Sequence, residues 1–176
     1  WWRGSRNAAC DSGNAAAAPF GAGIWLQQGA GQDGDENVLS GNHVTDNRFV
    51  GVGMSGDTHG IILQDNVVTG TTSHDAILSL GTDRIGDGLN LFAGASTRAS
   101  GNHFSENGRF GVLVDAAAGS ATSIQGNTIQ DNADVGIILQ DQAGGLDVTP
   151  NTFGGNGTAD SQSVPANTYG IPAETL

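Results

Sequence analysis

The sequence predicts an all-β parallel solenoid, and three observations predict it. A short motif recurs with one period, a second motif recurs in step with it, and the composition disfavours helix. Of the 18 acidic residues only Glu36, Glu106 and Glu174 are glutamate, all six basic residues are arginine, and 29 residues are glycine. Glu and Lys are good helix formers, whereas Asp, Asn and Gly favour turns.

The first track is a corner. Leu39-Ser40-Gly41-Asn42-His43-Val44 is matched by Leu63-Gln64-Asp65-Asn66-Val67-Val68, Ala99-Ser100-Gly101-Asn102-His103-Phe104, Ile124-Gln125-Gly126-Asn127-Thr128-Ile129 and Val148-Thr149-Pro150-Asn151-Thr152-Phe153. The shared asparagines step by 24, 36, 25 and 24 residues. A second asparagine recurs beyond each, at Asn47, Asn107, Asn132 and Asn156, with Thr71 as the exception.

The second track is a strand. Gly23-Ile24-Trp25-Leu26, Gly51-Val52-Gly53-Met54, Ala76-Ile77-Leu78-Ser79, Gly111-Val112-Leu113-Val114 and Gly136-Ile137-Ile138-Leu139 step by 28, 25, 35 and 25 residues, and Tyr169-Gly170-Ile171 is expected to begin a sixth. Both tracks lengthen between Ser79 and Ala99, so one insertion explains both.

Strands this short, without the paired Asn-Gly turns of a meander, must pair in parallel with the equivalent strand one repeat later. Asparagine tolerates left-handed φ at a corner. Stacked at ~4.8 Å, identical asparagines also bond one another's amides. One continuous file of asparagines is therefore expected. Alternation sends Ile24, Leu26, Val52, Met54, Val112, Val114, Ile137 and Leu139 inward, and Trp25, Gly53, Leu78, Leu113 and Ile138 outward. An outward apolar stripe implies a cover: a missing domain, a terminal tail or a subunit partner.

The Ser-Gly-Asn corner and the Gly-Ile-x-Leu strand, in phase over about residues 20 to 157, resemble the repeats of the pectate-lyase-like superfamily. The resemblance implies a single-stranded right-handed parallel β-helix of about five to six rungs. It does not choose a function, because that coil carries lyases, hydrolases, epimerases, phage tailspikes and adhesins. The expected organisation is a partial rung or cap over 1–22, rungs over 23–157, and a C-terminal loop with a last strand over 158–176. Three stretches are expected to leave the coil, 27–37, 80–96 and 157–166, where binding grooves are often built. A start at Trp1-Trp2, with no initiator Met or signal peptide, reads as a processed or excised piece.

A net charge of −12 and a pI near 4.2 argue against nucleic acid and anionic membranes as partners. No run approaches the ~20 apolar residues of a membrane span. The single cysteine, Cys10, excludes an internal disulfide and a Cys-based zinc site. Acidity is compatible with Ca²⁺, and Asp33, Asp35 and Glu36 share the composition of a calcium loop without its motif. No nucleophile elbow, phosphate loop or dinucleotide fingerprint occurs. The flat Thr-x-Thr ladders of ice-binding solenoids and the strand-borne aspartate cluster of pectate lyases are also missing.

Stacking converts sequence offsets into columns. The residue two places before each strand-opening Gly or Ala reads Phe49, His74, Arg109, Asp134, with Asp75 beside His74 and the Asp83–Asp87 loop nearby. Such a column is either a solvated charge ladder, worth little, or an acid–base edge facing an anionic sugar. In the second case His74 transfers the proton and Arg109 neutralises a substrate carboxylate. In Gly-Asp57-Thr58-His59-Gly60 the Asp and His either act together or simply shape a turn, and no epimerase Asp-Pro-His signature is present. His43 and His103 stand two rungs apart, ~10 Å, too far to share a metal.

The functional expectation is a secreted domain, extracellular or on the cell surface, that binds an acidic polysaccharide. If enzymatic, it would act as a polysaccharide lyase or epimerase. The alternative is a non-catalytic structural or adhesive module of a larger surface protein or fibre.

Overall fold

The computed structural model describes residues 8–10, 21–27, 37–56, 58–75, 84–92, 95–115, 122–140, 146, 148–165 and 168–169. Every element among them is a strand, numbered here in chain order. Sheet A stacks Ala8–Cys10 (β1), His43–Thr45 (β4), Val67–Thr69 (β7), His103–Ser105 (β12), Thr128–Gln130 (β15) and Thr152–Gly154 (β17). Sheet B stacks Ala22–Gln27 (β2), Val50–Ser55 (β5), Asp87–Leu91 (β10), Val112–Val114 (β13), Val135–Gln140 (β16) and Ala159–Val164 (β18). Sheet C stacks Asn37–Ser40 (β3), Ile61–Gln64 (β6), Thr97–Ser100 (β11) and Ser123–Ile124 (β14). All pairings within these sheets are parallel, each strand lying on its equivalent one turn away. The coil thus has about four complete three-sided turns, fewer than the five to six rungs expected, because sheet C has four strands where A and B have six.

The asparagines form the expected file. Each side chain of Asn42, Asn66, Asn102 and Asn127 donates to the Oδ1 of the next, at 2.9, 2.8, 2.9 and 3.0 Å, ending on Asn151. The same Oδ1 accepts the preceding asparagine's backbone N–H. The second proton of Asn66, Asn102 and Asn127 goes to the carbonyl of Leu39, Leu63 and Ala99. These amides are buried and fully paired, so deleting one orphans groups on both neighbouring turns. A second ladder runs Asn107, Asn132, Asn156.

The left-handed corner is not asparagine itself. Positive φ falls one residue earlier, at Gly41, Asp65, Gly101 and Gly126 in the first file and at Asp46, Gly70, Glu106, Asp131 and Gly155 in the second. That residue reverses the chain, and the asparagine after it is then aimed along the coil axis.

Between ladder and strand the turn is too tight for a side chain. A Cβ built on Gly51, Gly88, Gly111 or Gly136 would lie 2.7, 2.6, 2.7 or 2.4 Å from the carbonyl oxygen of the next turn. This need locates the third strand of sheet B. It is Asp87–Leu91, with Leu89 opposite Val52 and Val112, and not Ala76–Ser79 as expected. Gly88 fits the corner, whereas alanine at 76 would bring the forbidden Cβ. The insertion accordingly precedes that strand. It includes an antiparallel pair, His74–Asp75 (β8) with Arg84–Ile85 (β9). The stretch 157–166, also expected to leave the coil, instead supplies β18, the sixth strand of sheet B, paired with β16, and Tyr169, expected to begin that strand, lies beyond it.

The interior is filled from all three sheets, by Val44, Val68, Phe104 and Ile129 from A, Val52, Leu89, Val112 and Ile137 from B, and Leu63, Ala99 and Ile124 from C. A second apolar cluster lies on the outer face of sheet B and includes Phe49, Ile85, Phe92, Phe110, Leu113 and Ile138, with Trp25 and Tyr169 packed against it. Leu113 and Ile138, expected as an outward stripe, are 0% exposed within the chain itself. Leu78 of that stripe lies outside the described residues.

Candidate functional site

The corrected register changes the charged column. Arg109 N donates to Gly86 O at 2.9 Å and Asp134 N to Arg109 O at 3.0 Å. The position below Arg109 is therefore Gly86, and His74 is not in the file. His74 lies instead on β8 opposite Ile85, with Asp75 opposite Arg84. The side chains of His74 and Asp75 lie outside the described part of the structure, as do Asp33, Asp35, Glu36, Asp57 and Asp83. The expected meeting of His74, Arg109 and Asp134 on one edge thus keeps only its upper two members.

Arg109 does not face solvent as a substrate-binding cation would. Its Nε and Nη2 donate to the two oxygens of Asp87, at 2.7 and 2.6 Å, and its side chain is only 9% exposed. Asp87 also accepts from the amide of Asn90 at 2.7 Å. The guanidinium carbon stands 4.4 Å from the Phe110 ring centroid and 5.6 Å from that of Tyr169. A planar fork on a carboxylate, flanked by rings, is the arrangement in which arginine tolerates burial. Asp134 takes a different partner, the hydroxyl of Thr158 on the following turn.

The remaining candidates are turn chemistry. Thr58 is buried and its hydroxyl donates to Ser55 O at 2.7 Å, while exposed His59 holds Nδ1 3.1 Å from Ser96 Oγ. The first bond closes the loop after β5 on itself, and the His59 contact ties that loop to the next turn, as does the bond from Ser96 N to Thr58 O. His43 and His103 share a row on sheet A with Val67 between them. Among the described residues no group of three or more His, Cys, Asp or Glu is placed to hold a metal.

Residues 12–171 match the family described as right-handed beta helix region. The chain belongs to the right-handed β-helix family. No significant match was found among curated proteins or among solved structures. Around Arg109, the sequence reading gave Asp87 no more than a place in a nearby loop, and it missed Asn90, Phe110 and Tyr169, along with Gln140, which holds Tyr169. Their signal was present but misassigned, since Asp87-Gly88-Leu89-Asn90-Leu91 carries the Gly-apolar-x-apolar pattern of the strand track.

Proposed function

We propose that this β-helix is a non-catalytic structural or adhesive module, a stiff solenoid spacer on the outside of a cell or particle. The observation that supports this most is the fate of Arg109. The cation offered for an anionic substrate is buried and doubly bonded to Asp87. The exposed acids at the corners, Asp46, Asp65, Glu106 and Asp131, would repel a polyanion from the coil's flanks.

The test is a panel of uronic-acid and neutral polymers, read by ultracentrifugal co-sedimentation and by absorbance of an unsaturated product. The module reading expects no product from any polymer. Turnover of a uronic-acid polymer that responds to replacement of His74 would overturn it in favour of the lyase or epimerase reading.

A further inference from the structure

Beyond the module reading, the outer face of sheet B carries a feature that architecture alone does not require. β18 ends at Val164, opposite Gln140. Thr168 then turns back on Pro165, its N and Oγ1 both donating to Pro165 O. Tyr169 follows, lying over the sheet rather than beyond its edge. Its N–H donates to Gln140 Oε1 at 2.6 Å, and its ring meets Phe110 edge-on at a centroid distance of 5.0 Å.

The surface beneath is organised independently of this tyrosine. Asp87 fixes the plane of Arg109 through two bonds, and Asp87 is itself held by Asn90. Guanidinium, Phe110 ring and Gln140 carboxamide therefore present a ready platform for one aromatic side chain and the main-chain N–H beside it.

We propose that the outer face of sheet B is an aromatic-docking surface, and that Tyr169 of the chain's own C-terminal segment is its resident occupant, held as a releasable strap. Release leaves sheet B whole, because Tyr169 is half-buried and lies beyond Val164, the last residue of β18, which stays paired with β16. Ordering a free segment opposes this small set of contacts. Undocking bares Phe110 and the adjoining apolar cluster while leaving both asparagine ladders intact.

Tyr169 is the only tyrosine, so 3-fluorotyrosine labels the full chain at one place. The ¹⁹F resonance of the native protein is expected well displaced from its position in urea. Gln140→Ala and, separately, Phe110→Leu should each shift it toward the urea position while the far-ultraviolet circular dichroism of the coil is unchanged. Tyr169→Ala should raise binding of an apolar dye such as ANS, again with the coil intact. A native resonance already at the urea position, or dye binding unmoved by Tyr169→Ala, overturns the proposal. Since Tyr169→Ala removes no ladder or interior residue, the dye measurement decides even if Phe110→Leu fails to fold.

Discussion

Asn102 sits in the middle of the first ladder with Oδ1 and Nδ2 both doubly engaged. Thr71 shows what happens where the pattern lapses. It occupies an asparagine position in the second ladder, where its N–H reaches Asn107 Oδ1 at 3.2 Å but its buried hydroxyl has no hydrogen-bond partner among the described residues. Thr71→Asn should supply the missing amide and raise stability by about 0.5–1.5 kcal/mol. The check is a higher urea midpoint with an unchanged slope. The converse case is Arg109. Arg109→Met should destabilise by ~3–5 kcal/mol, because it leaves Asp87 charged and buried. The double variant with Asp87→Leu should recover part of that loss, less the cost of the buried Asn90 amide that it leaves without Asp87. A double-mutant cycle in urea measures the coupling, and a cycle with no coupling would mean the pair contributes nothing specific. The ladders were legible in the sequence because asparagine repeats in phase. The left-handed residue was not, because Gly, Asp and Glu share that position and no single letter marks it.

Elements in this coil are chosen by fit to the turns above and below more than by their own apolar content. Ala76-Ile77-Leu78-Ser79 reads as the more apolar strand, yet Asp87–Leu91 takes the place. In it Asn90 pairs with Leu113, a position of the outward apolar stripe. It is buried there because Asp87, three residues earlier, accepts its amide. A polar pair that satisfies itself is invisible to a count of apolar letters. The glycine was the readable cue. Gly88→Ala would set a methyl 2.6 Å from Gly111 O and 2.8 Å from Asn107 Nδ2. It should destabilise by roughly 1–3 kcal/mol, the usual range for overpacking. Gly154→Ala, where an added Cβ meets nothing within 4 Å, is the control and should be neutral or slightly stabilising. Equal losses at the two sites, by thermal or urea unfolding, would remove the steric account of the strand-opening glycine.

At the scale of the whole molecule, each turn touches only its neighbours, so stability should vary along the axis. The turns of β7, β12 and β15 have a sheet A partner on both sides. β17 and β18 are paired on one side among the described residues, and both ladders are closed there by local groups. Asn151 Nδ2 donates to Val148 O at 2.9 Å within its own turn, in place of a further asparagine. Asn156 Nδ2 likewise reaches the Asp160 carboxylate at 3.3 Å. Those substitutes satisfy the last amides, but they add no further turn to hold the last one in place. Native-state hydrogen exchange in low denaturant should therefore show amides of β17 and β18 opening at lower free energy than those of β12. Asn102→Ala should lower protection in both neighbouring turns, whereas a change at Asn151 should act mainly on the last. Should β12 and β18 exchange with one shared opening free energy, the coil would be a single all-or-none unit and nearest-neighbour stacking would not describe it.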